Sequence, residues 1–310
     1  MTGTTSTINL ADRYRGAMVG TAVGDALGAP TEGQARVPPA YLETLDTHPN
    51  LSYTDDTAMT LAVARSLVDQ GGFEGPHMAA TLAAQFAAEP FRGYGSGPPI
   101  VFFRLENGVS WDQASRSLFN GTGSYGNGAS MRVAPVALHT FPDLDSAAEC
   151  AAQTALITHS HPEGIDGAVA QTVAIALLLN TETLNPQALI RTVRSHVKTP
   201  VFRDKLSFLA KHAGSRDAGE LAEVLGTGIA AHASVVTALG CFLSSPDSFS
   251  EAVKSAVGLG GDTDTIAAMT GALAGAHLGH NAIPPAWQSV EGSADLCVLA
   301  DRLHSRYRAR

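Results

Sequence analysis

Leu259-Gly260-Gly261-Asp262-Thr263-Asp264-Thr265 runs straight into the apolar stretch from Ile266 to His280. Side chains two positions apart point about 200° apart on an α-helix, so Asp262 and Asp264 converge only if they sit in a loop or a first helical turn. Gly260 and Gly261 permit that bend. The following run, IAAMTGALAGAHLGH, is rich in alanine and almost free of charge, which predicts a buried helix whose N-terminal end lies inside the protein. A second acidic stretch has the same build: Tyr53-Thr54-Asp55-Asp56-Thr57 leads into the apolar AMTLAVARSLV. Two carboxylate-bearing helix starts read as two halves of one metal site. Asp and Thr are also favoured N-caps, but a cap needs one residue, and neighbouring carboxylates repel unless a cation lies between them. A ligand set made only of oxygens selects magnesium, manganese or calcium over zinc or copper.

Towards the N-terminus, Asp12 is the expected cap of a first helix whose apolar residues run from Ala17 through Gly20, Gly24 and Gly28. Glycines at that density let a second backbone approach closely, and Pro30 ends the helix. Glu32 then falls in a loop, where a glutamate is ordinarily just solvated. Residues 33 to 52, with Pro38, Pro39 and Pro49, read as a loop leading to the first acidic stretch. Apolar spacing predicts helices over 57–69, 76–88, 100–105, 129–138, 146–157 and 164–179, the last apolar enough to lie at the centre of the core. Four or five more are expected between 184 and 258, with breaks near Gly214, Gly226 to Gly228 and Pro246, and a final one over 292–307. No alternating run of β-branched residues occurs, and no repeat of 20 to 50 residues. The expected fold is all-α: a compact orthogonal array of a dozen or more helices forming a single domain over 1–310, core about 12–307, with a metal cleft.

Two glycine-rich loops interrupt the helices. Arg92-Gly93-Tyr94-Gly95-Ser96-Gly97 is suited to presenting backbone N–H groups to an anion, although glycine-rich loops are often only turns. Phe119-Asn120-Gly121-Thr122-Gly123-Ser124-Tyr125-Gly126-Asn127-Gly128 adds polar side chains, and its Phe119 and Tyr125 are able to sandwich a flat base; the alternative is a long solvated loop. His159 and His161, at i and i+2, have no Cys or third His at zinc spacing. One is expected to face a pocket and the other the surface.

The 310 residues are 45% hydrophobic and 16% charged, with a formal charge of −9. That balance excludes non-specific binding to a nucleic-acid backbone, which needs basic surface. Cys150, Cys241 and Cys297 form no CxxC pair and suit a reducing compartment. The first residues lack the apolar core of a secretory signal, and no later stretch spans a membrane without polar interruption. A soluble, cytoplasmic monomer is expected.

Taken together and in order, GDALGAPTE, YTDDTAM, GSYGNGASMRVAPVAL and LGGDTDTIAAMTGALAGA resemble the ADP-ribosylglycohydrolase (dinitrogenase-reductase-activating glycohydrolase) family, from about Gly16 to about Gly279. The resemblance implies an all-α fold and two magnesium ions, with manganese as a substitute. It also implies hydrolysis of the bond between C1″ of ADP-ribose and an acceptor on an ADP-ribosylated protein or conjugate. By position, Thr54, Asp55, Asp56, Asp262, Asp264 and Thr265 would hold the ions, and Glu32 would be catalytic. Gly93, Gly97, Gly123, Ser124 and Asn127 would bind phosphate and ribose, Phe119 and Tyr125 would flank adenine, and His159 would contact the diphosphate or ribose. RGYGSG, GSYGNG and Glu32 are closer to the serine-linked and poly(ADP-ribose) branch than to the arginine-linked one. The competing readings are an arginine-linked hydrolase, a non-catalytic ADP-ribose-binding relative, and a metal-dependent hydrolase of another conjugate.

Overall fold

A computed structural model describes residues 8–47, 51–213, 215 and 217–308. Among the described residues there are sixteen α-helices and no strand, only an isolated bridge between Gly126 and Ala230. The first half of the chain holds Leu10–Gly28 (α1), Pro39–Thr44 (α2), Asp55–Gln70 (α3), Gly75–Ala88 (α4), Gly97–Glu106 (α5), the single turn Leu118–Gly121 (α6), Ala134–Thr140 (α7) and Leu144–Leu156 (α8). The second holds Pro162–Leu178 (α9), Pro186–His196 (α10), Pro200–Lys211 (α11), Ala218–Leu225 (α12), Ala231–Ser244 (α13), Phe249–Gly258 (α14), Thr263–Leu278 (α15) and Ser293–Arg308 (α16). The five helices α10 to α14 fill the region where four or five were expected. The breaks at Gly226 to Gly228 and Pro246 are present, and the one near Gly214 lies outside the described residues.

Three local expectations are corrected. Asn9, not Asp12, caps α1: its side-chain oxygen accepts from the Asp12 N–H at 3.2 Å, which places Asp12 in the first turn. The stretch expected to be loop over 33–52 contains α2 and a 3₁₀ turn, Leu45–Thr47, because Pro39 sits at the start of α2, where a missing N–H costs nothing; Pro49 lies outside the described residues. The helix expected over 129–138 begins only at Ala134. Pro135 belongs to its first turn, and residues 129–132 make turns instead.

Helices α1, α9, α13 and α15 are buried along most of their length, and one hydrophobic cluster extends from Tyr14 to Leu303. Their interior is built largely from alanine, glycine and valine, so backbones lie close and the apolar area removed from water is spread over many small groups. The tightest pair is α1 and α15. A Cβ on Gly16, Gly20, Gly24 or Gly28 would meet backbone of Gly275 and Gly279, Gly271, Ala267 and Ala268, or Thr263 and Asp264, respectively. The run of contacts is antiparallel, so the C-terminal end of α1 abuts the N-terminal end of α15. No described helix is long and apolar enough to cross a membrane.

Candidate active site

The glycine seam between α1 and α15 brings the first loop to the last acidic stretch. At its end the Thr31 and Thr263 hydroxyls both donate to the Gly28 carbonyl at 2.9 Å. Beyond it, Gly33 N–H donates to Gly261 O at 2.8 Å and Gly261 N–H to Gln34 O at 2.7 Å. Gly260 and Gly261 both have φ of +77°, a left-handed pair that residues with a Cβ adopt only under strain. Oxygens of Glu32, Asp262 and Asp264 consequently lie within 4.8 Å of one another.

The other acidic stretch is fixed from outside its own helix. Asp25, fully buried on α1, accepts from Thr54 N–H (3.0 Å) and Thr57 N–H (3.1 Å) and from their hydroxyls (2.8 and 2.6 Å). It thereby satisfies donors that the start of α3 would otherwise leave unpaired. Arg92 O accepts from Asp55 N–H at 2.8 Å. Asp56 links the two halves: one oxygen accepts from the Thr265 hydroxyl at 3.4 Å and lies 3.3 Å from the Thr54 hydroxyl oxygen. Its other oxygen, Oδ1, is buried without a hydrogen-bond partner.

Burial and mutual repulsion raise all of these acids above the ordinary carboxylate range. Burial raises Asp25 to about 6, and burial with the Asp25 charge raises Asp55 to about 7. Burial with the Asp262 charge raises Asp264 to about 8. Asp56, Asp262 and Glu32 are pushed up as well, burial being the largest cause for each. Among the described residues no lysine or arginine forms an ion pair with any of them. Clustered hard oxygens, an orphaned buried carboxylate oxygen and no paired lysine or arginine fit a hard divalent cation.

These groups open onto a cleft of about 190 Å³. Of the residues expected at the site, Glu32, Asp55, Asp262, Asp264, Thr265, Gly93, Gly97, Phe119, Ser124, Asn127 and His159 line it. Thr54 and Asp56 stand behind that wall, bonded as above. Gly123 and Tyr125 are not in the wall. Gly123 (φ +75°) packs against Ser160 and His161, and Tyr125, 49% exposed, meets His161 edge-on at 5.8 Å between centroids. Phe119 reaches the cleft on a strained backbone, with φ of 50°. The Asn127 amide donates to Asp262 and to Ser234 Oγ (3.0 Å), so it orients an acid of the cluster. Of the two histidines, His159 faces the cleft and His161 caps α9, accepting from Glu163 N–H at 3.2 Å.

Sequence reading passed over two residues here, Asp25 and Arg132. Each is a lone charge inside an apolar segment, GTAVGDALG and SMRVAPVAL, and a buried charge in such a setting is seldom idle. Arg132 lines the cleft, and burial lowers it to about 10.

The sequence matches the ADP-ribosylglycohydrolase family over residues 6–310. The chain belongs to that family. It is accordingly a glycosidase-type hydrolase. It is 35% identical over 339 residues to ADP-ribosylhydrolase ARH3 of Mus musculus, covering 94% of this chain and 91% of the relative. The Homo sapiens ADP-ribosylhydrolase ARH3 is 34% identical, with 94% and 93% covered. ADP-ribosylarginine hydrolase Tri1 of Pseudomonas putida is 28% identical, with 95% and 78% covered. A solved structure titled ADP-ribosylglycohydrolase-related protein complex aligns with a TM-score of 0.75 at 26% identity, over 96% of this chain and 98% of that one.

Proposed function

We propose that this chain hydrolyses the bond between C1″ of ADP-ribose and an oxygen acceptor, a serine side chain or the next unit of poly(ADP-ribose), with two magnesium ions. The observation that carries this reading is the convergence of Glu32, Asp262 and Asp264 on a cleft that both glycine-rich loops also line. Greater identity to the relatives named ADP-ribosylhydrolase ARH3 than to the arginine-named one supports an oxygen acceptor. Thr54, Asp55, Asp56, Asp262, Asp264 and Thr265 would hold the ions, which would supply the positive charge the cluster lacks and Lewis-acid stabilisation of developing negative charge.

The reaction breaks the C1″–O bond through an oxocarbenium-like transition state, forms a bond from C1″ to water, and delivers a proton to the departing oxygen. Glu32, raised by burial and by the Asp262 charge, is the proton carrier, acting on the attacking water or on the leaving oxygen. His159, which burial and then the Arg132 charge lower to about 3, is neutral at physiological pH and serves the diphosphate or ribose as a hydrogen-bond donor. Ser124 and the backbone N–H groups around Gly93 and Gly97 suit the phosphates, and Phe119 offers its ring to adenine. The continuous hydrophobic cluster supports a single domain, and the free cysteines Cys150, Cys241 and Cys297 suit a reducing cytoplasm.

The test is release of ADP-ribose from serine-linked, arginine-linked and polymeric substrates, side by side, with and without chelator. Serine-linked or polymeric substrate should be cleaved fastest, and chelator should abolish it. Preferential cleavage of the arginine linkage would overturn the acceptor, and chelator-resistant turnover would overturn the metal.

A further inference from the structure

His159 is buried, yet its ring meets the cleft, and the way it is held fixes which nitrogen carries the proton. A side chain at Gly128 would come within 2.9 Å of the ring, and one at Gly164 within 3.2 Å of Cβ, so glycine backbone clasps the imidazole. Nδ1 lies 2.7 Å from the Thr158 hydroxyl oxygen. That oxygen already accepts from Nη2 of Arg132 at 2.8 Å, and Nη2 also reaches Thr154 O at 3.3 Å in the last turn of α8. Guanidinium only donates, so the direction of this bond is set. The Thr158 hydroxyl proton then has one acceptor within reach among the described residues, Nδ1 of His159. If Nδ1 carried the proton instead, the hydroxyl, on a residue 1% exposed, would be a buried donor with nothing to bond.

We propose that Arg132 and Thr158 are positioning residues that lock His159 in the Nε2–H tautomer. The ring then offers the cleft a fixed donor and cannot offer an acceptor. Nε2 has no hydrogen-bond partner among the described residues, so this donor is free for a ligand oxygen. That the oxygen belongs to ADP-ribose rests on the function proposed above. The relay itself does not.

Two measurements separate the two. In ligand-free, ¹⁵N-labelled protein, two-bond proton–nitrogen correlation spectra at neutral pH, assigned with His159→Gln, should show His159 with Nδ1 unprotonated and Nε2 protonated. Thr158→Ser should keep that pattern, and Thr158→Val should shift it towards the other tautomer. A protonated Nδ1 in the wild type, or an unchanged pattern in Thr158→Val, would overturn the relay. Calorimetry with ADP-ribose should show Thr158→Val weakened about tenfold, the scale of one hydrogen bond, and Thr158→Ser near wild type. Equal weakening by both substitutions would overturn the positioning role in binding. Wild-type protein with the expected tautomer and no affinity for ADP-ribose would uphold the relay and refute the substrate reading.

Discussion

Gly24→Ala tests whether the seam between α1 and α15 holds the site together. Helix propensity alone predicts a gain of about 1 kcal/mol, since alanine is the better helix former. Packing predicts the opposite. The new Cβ would lie 2.7 Å from Ala268 N, with the Ala267 carbonyl nearer still, and all of these atoms are helix backbone that no rotamer change can move. Restoring an ordinary separation of ~3.5 Å from the Ala267 carbonyl pushes the helices apart by well over 1 Å, and the contacts at Gly20 and Gly28 open with it. Overpacking of this kind costs about 1–3 kcal/mol, and a backbone-on-backbone clash belongs at the upper end, so a net loss of about 2 kcal/mol is expected. Gly240→Ala on α13 is the matched control, because its Cβ would meet the methyl ends of Leu221 and Leu209 at 3.4 and 3.5 Å, ordinary contact. That variant should be neutral or up to about 1 kcal/mol more stable. Because α1 delivers both Asp25 and Glu32, Gly24→Ala should also lower kcat/KM by roughly 100-fold, the usual consequence of a misplacement near 1 Å. Urea unfolding and steady-state turnover read both effects. A Gly24→Ala protein as stable and as active as wild type would refute the seam as the element that aligns the two acidic stretches.

Glu32→Gln should leave ADP-ribose affinity near wild type by calorimetry and cut turnover by about 100-fold or more; near-normal turnover on the best substrate would remove Glu32 from the proton transfer. Asp264→Ala should lose affinity for both magnesium and ADP-ribose in titration calorimetry, and unchanged magnesium affinity would contradict the shared site. The metal-free protein should lose stability as pH rises. Asp55 at about 7 and Asp264 at about 8 keep protons in the folded state that the unfolded chain, near 4, has already released, so the stabilisation is complete below about pH 4 and gone above about pH 8. Thermal melts in chelator between pH 5 and 8 should show that decline and melts in magnesium a flatter profile, whereas a chelated profile that rises with pH would reverse the sign assigned to the cluster.

The helices that carry the site were legible because their composition leaves no alternative. α9 and α15 are so largely apolar that burial is the expected setting for both, and Gly20, Gly24 and Gly28 announced a close neighbour without saying which. What stayed illegible depends on packing between distant segments. Asp25 looks like an isolated acid until α1 lies beside the start of α3, where Thr54 and Thr57, about 30 residues on, become its partners. Pro38-Pro39 read as loop because proline breaks helices in their interior, yet at the first position it begins one. Tyr125 and Phe119, six residues apart in one glycine-rich loop, were equivalent on the page. Left-handed backbone at Phe119, and pairing of Tyr125 O with Ala231 N–H, separate them in space, and that geometry has no periodicity to betray it.

Asp25 and Arg92 both bond the Thr54-Asp55-Asp56 turn, Asp25 through Thr54 and Arg92 through the Asp55 N–H, and Arg92 is itself held in place by other groups. The Arg92 guanidinium bonds Glu291 through both of its oxygens (2.6 and 3.0 Å), bonds Glu89 at 2.6 Å, donates to Tyr53 O at 3.0 Å and lies 4.0 Å over the Tyr53 ring. Its own carbonyl is thereby fixed as the acceptor for Asp55 N–H. Asp25 spends both carboxylate oxygens on the backbone and hydroxyl donors of Thr54 and Thr57, which leaves it a support rather than a ligand. Its negative charge nevertheless pushes Asp55 and Asp56 further towards protonation. A buried anion beside the proposed ligands therefore disfavours their joint ionisation, while its hydrogen bonds fix the Thr54 and Thr57 backbone at the start of α3. On the proposed metal reading, repulsion within the cluster is relieved by a cation or a proton, and so would add to the affinity for a divalent ion.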